Sequence, residues 1–478
     1  MGFRLAEHRQ ITICKAAEIA DISEHEDTLL FISEEVFDLF KDLKSKNFSK
    51  DSYCFHIKAE EDRYTLVADY FIGVDWLGKS GRTVLVEPKL NAALSTYFDS
   101  CLQKDEDEIS DTFTEHVKST DIKEVNYLKM LLDIMSHDTA AKHAADLVKI
   151  DWEAPKIKIA QKDDQLTPFL VIQFLQLLKA IVRKGLKSSY YRVQHHLRNR
   201  VKGKILVGAH IKANIFKNRL TSTLCEYQEF GTDNPENRFI KKVFVFCSSY
   251  VEKHKESLFK HTYKEVEHLM YYCRPAFEKI GDHIDEIQLK NFKYNPFFKE
   301  YAQALKIGKH ILKRFSYTIS RTAEEEISTP PFWIDMPRLF ESYLYYQLLK
   351  ANPADAKYIH YQFSTYGNAL DILISKPGCE MVIDAKYKMH YNTGQIHEDI
   401  RQVSGYARLN KVIGKVKQNN PLWSEDALMD CLIVYPSLQK ASAFDFSLTS
   451  LKLMLNEQTK IKAYRNVYKL GVHLPLIE

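Results

Sequence analysis

Two aspartates on segments that read as neighbouring strands are the residues of this chain best placed to do chemistry. Asp371 ends NALD at the head of the apolar run ILIS, Lys376, Pro377 and Gly378 supply a turn, and the returning run CEMVI delivers Asp384, Ala385 and Lys386. Such a carboxylate pair can hold Mg²⁺, with Mn²⁺ as a possible substitute, and leave positions open for phosphate and water. A bound metal lowers the pKa of its water, so hydroxide becomes available near neutral pH. Residues i and i+2 of a strand share a face, which places Lys386 beside Asp384, where it can orient the water or stabilise charge on the transition state. This is the logic of a D…(D/E)xK site for phosphodiester hydrolysis.

A bare [DE]xK tripeptide is a weak signal, and context has to choose among Asp42–Lys44, Glu87–Lys89, Asp121–Lys123, Asp355–Lys357 and Asp384–Lys386. Asp355 follows the loop-like NPA and has no evident paired acid. Glu87 ends the strand-like TVLVE with Asp75 upstream, but Pro88 cannot donate a ladder hydrogen bond and tends to end a central strand. Downstream of Asp384, Gln402 and Tyr406 lie four apart on a helix-like segment and so share one face, within reach of the site and a DNA backbone. Upstream, Glu341 in PRLFESYLYYQ is a candidate third acid. His390 and His397 flank the site and are assigned no role.

Two other patterns are set aside. Gly73 to Ser80 satisfies the P-loop expression, yet Gly81 and the strand-like TVLVEP follow where a phosphate-binding helix should begin, so a hairpin turn is expected. His254, His261 and His268 recur every seven residues on a helical face, about 10 Å apart along the axis, too far for one coordination shell.

The elements that must position these residues fall into three parts, as about 100 to 200 residues per domain predicts for 478. Residues 1–128 alternate apolar and polar positions and read as a β-rich domain. An acidic stretch from Asp105 to Glu115 reads as a solvated connector. Residues 129–300 read as mainly helical, with TPFLVIQFLQLLKAIVRKGL capped near Thr167 and Pro168, and Asn234 and Pro235 opening a second helix. Residues 301–478 alternate helix and strand. The fold class is therefore multidomain α+β, ending in an α/β domain of PD-(D/E)xK type.

Net charge alone names no partner: 67 Lys and Arg against 63 Asp and Glu leave +4. Residues 181–220, however, hold eleven Lys and Arg, three His and no acid. Arg192, Arg198, Arg200, Lys202 and Lys204 lie among them and are expected to contact double-stranded DNA through its phosphates, with docking onto an acidic partner as the rival reading. The eight Cys include no CxxC, which argues against a zinc ribbon or a disulfide scaffold. MGFRLAEHRQ lacks the apolar core of a signal peptide, and no uncharged apolar run reaches about 18 residues. A soluble cytoplasmic protein with reduced thiols and no membrane contact is expected.

In their order and spacing, FIGV with VLVEPKL, RVKGKILVG with CEYQEFGTDNPENRFIK, and LFESYL, LDILI, IDAKYK and the QxxxY helix resemble the McrC family, the nuclease subunits of McrBC-type restriction systems. The resemblance implies Asp371, Asp384 and Lys386 as the catalytic set, Glu341 as the acid of the preceding helix, and Gln402 with Tyr406 as a motif shared with RecB-like nucleases. It also implies a separate AAA+ GTPase of McrB type, a hexameric ring that the N-terminal part would engage and stimulate. Leu370 stands where family members often carry Pro before the first Asp. Two rival functions remain at this level: a non-catalytic adaptor docking a motor on DNA, and a DNA repair nuclease acting alone.

Overall fold

A computed structural model describes residues 3–477 apart from 8, 16–28, 33–36, 38–42, 50–51, 61–62, 79–80, 92–121, 138, 145–146, 161–163, 165, 261, 283–297, 316–325, 366–367, 389–392, 425–426 and 438–444. The acidic stretch 105–115, His261 and His390 lie outside the described residues. The chain forms two compact units, one of residues 1–158 with 328–478 and one of residues 159–327. The expected divisions after 128 and 300 are displaced by packing. The helix Tyr127–Ser136 lies against Met336–Ala351 in the first unit, and Lys299–Arg314 lies against Leu166–Lys184 in the second.

The N-terminal part of the first unit is β-rich, as its alternation predicts. One five-stranded sheet runs in the spatial order Phe3–Ala6, Thr83–Glu87, Phe71–Trp76, Phe332–Asp335, Val148–Ile150; a second runs Leu29–Ile32, Gln10–Lys15, Arg63–Ala68, Tyr53–Ala59, Lys46–Asn47. Both give buried side chains to one core, including Leu5, Ile13, Phe55, Leu66, Val84 and Trp333. The P-loop look-alike is a hairpin, with Trp76 paired to Thr83 and Gly73 to Val86. Gly73 is required by close approach: a Cβ there would collide with the Phe332 carbonyl oxygen of the neighbouring strand.

The C-terminal part of this unit is a mixed sheet in the order Ile359–Thr365, Asn368–Ile374, Met381–Ala385, Asp430–Ser437, Val467–His473. The first three strands are antiparallel and the last three parallel. Every residue of Met381–Ala385 is buried, as expected of a strand covered on both faces. Ile396, Ile400 and Val403 of the helix Thr393–Tyr406, with Val412 and Val416 of Asn410–Asn419, pack on Leu370, Val382 and Ile433. The helix Met336–Ala351 also packs on this sheet. Its start is fixed by Asp335, whose carboxylate accepts from the Arg338 N–H at 3.0 Å, with Pro337 in the first turn.

The second unit has a helical core. Asn234 caps Pro235–Lys253 by accepting from the Asn237 N–H at 3.0 Å, while Asp164 rather than Thr167 accepts at the head of Leu166–Lys184 (Thr167 N–H to Oδ1, 3.2 Å). Among the described residues, Leu166–Lys184 alone is long and apolar enough to cross a membrane, and most of it is buried within the unit, as in a core helix. His254 follows the end of Pro235–Lys253, and the next helix starts at Tyr263, so the histidine spacing does not lie on one continuous helix. The unit is not helical throughout. Ser189–Arg198, Ser222–Gly231 and Lys204–Ile205 form a three-stranded antiparallel sheet. Gly203, at φ 73°, makes the tight return, where a Cβ would meet the Glu226 carbonyl oxygen. The seven described cysteines are buried.

Candidate active site

The turn at 376–378 registers Ile372 with Ile383, and the next position along each strand beyond that rung brings Asp371 and Asp384 together. The Ala385 N–H donates to Asp371 Oδ2 at 2.8 Å. Asp384 is 2% exposed, and its Oδ2 lies 2.9 Å from Lys386 Nζ. That contact is an ion pair without hydrogen-bonding direction, so Oδ2 remains a buried acceptor with no directed donor. Lys386 Nζ donates to Gln402 Oε1 at 2.8 Å, and Gln402 Nε2 donates to the Tyr406 hydroxyl at 2.8 Å. Asp384, Lys386, Gln402 and Tyr406 therefore form one connected chain, with Asp371 at its acidic end.

Glu341 approaches from the helix Met336–Ala351. Burial, then the charge of Asp371, holds its carboxyl well above the ordinary range. Burial and the charge of Asp384 likewise push Asp371 up, to about 7. Asp384 is raised by burial against the opposing pull of Lys386. Burial works against the charge on Lys386, but Asp384, Asp399 and Asp371 outweigh it and keep the ammonium's pKa above its usual value. The site thus concentrates acid oxygens that ionise at a cost, beside a lysine that stays charged.

This donor set suits a hard divalent cation. Crowded carboxylates with raised pKa values and an undirected buried oxygen are what a cation relieves, and Mg²⁺ commonly takes one or two carboxylates and fills its other positions with water and phosphate. Among the described residues no three His, Cys, Asp or Glu form a closed ligand group. Asp371 and Asp384 would be the protein ligands, with Glu341 an acidic neighbour rather than a third member of a closed set.

Asp42 and Asp121 lie outside the described residues, and the competing tripeptides at Glu87 and Asp355 lack this convergence. Glu87 pairs with Arg4 at 2.7 Å. Asp75 registers with Val84, pairs with Lys46 at 2.9 Å and accepts from Trp333 Nε1 at 3.0 Å. Asp355 pairs with Lys376 at 2.7 Å.

A family model described as "McrBC 5-methylcytosine restriction system component" matches residues 151–415, more than half of the chain. The chain belongs to the McrBC family. No curated protein matches it. Two solved structures from Thermococcus gammatolerans are similar at low identity. One is the refined half-complex from a tetradecameric assembly of McrB AAA+ hexamers with bound McrC (15% identity, 99% of this chain, 94% of that chain, TM-score 0.35). The other is the cryo-EM structure of the McrBC complex (13%, 73%, 88%, TM-score 0.26).

Three residues of this McrBC-family site escaped the sequence reading. Asp399 is buried and accepts from Lys388 Nζ at 2.8 and 2.7 Å, with Lys386 Nζ 3.7 Å away. A signal for it existed, since 399, 402 and 406 follow helical spacing and Lys388 is two residues beyond Lys386. Gln362, which donates to Glu341 Oε2 at 2.6 Å, carried none.

The expected DNA contacts Arg192, Arg198, Arg200, Lys202 and Lys204 lie in the second unit and are all exposed. Their sheet is not one-signed in space. Ser222–Gly231 sets Glu226 opposite Gln194 and Glu229 opposite Tyr191, and Lys202 sits 3.9 Å from Glu229 and 4.1 Å over the Tyr227 ring. The same excursion exposes Val201, Val207, Ile211, Phe216 (78%) and Leu220 (70%), and nothing in Val207–Ala213 is buried.

Proposed function

We propose that this chain is the DNA endonuclease subunit, of McrC type, of a restriction complex in which it works with an AAA+ GTPase ring of McrB type. The observation that carries the reading is the convergence of Asp371, Asp384 and Lys386 in a chain of the McrBC family. A bound Mg²⁺ would supply a nucleophilic hydroxide and neutralise phosphate charge. Asp371 and Asp384 would hold it. Lys386, kept charged by its acidic neighbours, would orient the attacking water and stabilise the added negative charge as the P–O bond to the leaving oxygen breaks. Gln402 fixes the direction of Lys386, and Tyr406 fixes Gln402.

The test is a reconstituted assay with the partner ring, nucleotide and Mg²⁺. Asp384→Ala and Lys386→Ala should abolish cleavage while partner-stimulated GTP hydrolysis continues. Cleavage persisting in both variants would refute the assignment.

For the basic excursion, exposed apolar side chains among the cations favour docking onto a protein partner over contact with phosphate alone. Neutralising Arg198, Arg200, Lys202 and Lys204 together should flatten the salt dependence of DNA binding if they contact phosphates. An unchanged slope with weakened partner binding would support docking.

A further inference from the structure

Gln362 interrupts the edge of the sheet beside the candidate site. The strands Ile359–Thr365 and Asn368–Ile374 pair Tyr361 with Ile372 and Phe363 with Leu370, and the intervening rung, Gln362 opposite Asp371, is missing from the ladder. Gln362 takes a left-handed backbone, φ 48°. The three other described non-glycine residues with positive φ are Asn199, Asn218 and Asn466. Asparagine tolerates this region because its short side chain bonds locally, whereas glutamine has no such compensation. Strain of this kind persists where surrounding structure over-determines it, and such places cluster at functional sites. Here the left-handed residue directs its amide away from the strand ladder, to Glu341 Oε2 at 2.6 Å. The charges of Asp371 and Asp384 in turn act on Glu341.

We propose that Gln362 is a positioning residue of the metal site, its left-handed backbone carrying an amide that holds the Glu341 carboxyl beside Asp371 and Asp384. This rests on the nuclease reading and extends it to a residue that touches neither metal nor substrate. Outer hydrogen-bond partners of this kind commonly set metal affinity by about 10-fold or more.

The experiment titrates the full-length chain with Mn²⁺, following free Mn²⁺ by electron paramagnetic resonance, for wild type, Gln362→Gly, Glu341→Gln, the double variant and Asp384→Ala. Glycine takes the left-handed backbone without steric strain, so Gln362→Gly should remain folded, which its melting curve checks, and Gln362→Asn provides a second variant that tolerates this conformation. Gln362→Gly is expected to weaken Mn²⁺ binding about 10-fold. It should add nothing in the Glu341→Gln background, because a residue acting through Glu341 has no further effect once that carboxylate is gone. Wild-type affinity in Gln362→Gly, or a loss that adds fully to that of Glu341→Gln, overturns the proposal. If Asp384→Ala loses Mn²⁺ binding while Gln362→Gly retains it, only the role of Gln362 falls. If Asp384→Ala binds Mn²⁺ like wild type, the metal site and the nuclease reading fall with it.

Discussion

Replacing Asp371 by Asn should stabilise the metal-free protein while destroying its chemistry. Burial and the neighbouring charge of Asp384 raise this carboxyl from 3.8 to about 7. The native state therefore binds the proton more tightly than the unfolded chain, and ionisation near neutral pH costs native stability. At about 1.36 kcal/mol for each pH unit of that rise, the ceiling is about 4 kcal/mol. Asp371 keeps some solvent contact and shares its titration with Asp384, so a gain of about 1–3 kcal/mol is expected. Asn cannot ionise, and its side-chain oxygen can still accept from the Ala385 N–H. The stability of the metal-free wild type should be full below about pH 4 and fall as pH rises toward 7. The advantage of Asp371→Asn should therefore be small at pH 4 and open by pH 8. Urea unfolding in EDTA at both pH values measures it, and a parallel series in Mg²⁺ should stabilise wild type but not the variant. Equal stability at pH 8 without metal, or an advantage that does not shrink on acidification, would refute the account of the site as carboxylates held together at a cost.

Three further outcomes follow from the same structure. Because protons compete with the cation for the raised Asp371 and Asp384 carboxylates, the Mg²⁺ needed for half-maximal cleavage should fall as pH rises from 6 to 8; a pH-independent requirement would count against these ligands. Arg314→Met leaves buried Asp164 without the cation that bonds it in the second unit, so a loss of about 3–5 kcal/mol is expected by chemical denaturation, and a neutral result would mean that the pair contributes little. Gly73→Ala puts a Cβ against the Phe332 carbonyl and should lower the melting temperature by several degrees or prevent soluble expression; an unchanged melting curve would show that the two strands can separate freely.

The pair of strands with its turn at 376–378, and the helix bearing Gln402 and Tyr406, were legible because short-range chain geometry alone places those side chains. Alternation exposed the β-rich N-terminal part for the same reason, and Asn234 with Pro235 announced a helix start. Gln362 was not legible, because nothing in FSTYGN or the residues before it demands a left-handed glutamine, and its partner Glu341 lies on a separate helix. Likewise, eleven bases without an acid within 181–220 suggested a surface of one sign, yet strand pairing supplies Glu226 and Glu229 from outside that window. The domain divisions moved because Tyr127–Ser136 packs on a helix about 200 residues later in the chain, a long-range contact that local pattern does not encode.

The placement of Phe332–Asp335 between Phe71–Trp76 and Val148–Ile150 sets a timetable for synthesis. About 250 residues separate the Phe71–Trp76 strand from the one that pairs beside it. At about 5–20 residues per second the ribosome takes about 12–50 s to deliver that partner. Through that interval the nascent N-terminal sheet carries an open edge, the kind of surface on which strands from other chains can pair. Translation must also pass through the whole 159–327 unit before the edge closes. Slow codons within that unit would lengthen the exposure, whereas any chain released before residue 335 would never close its sheet.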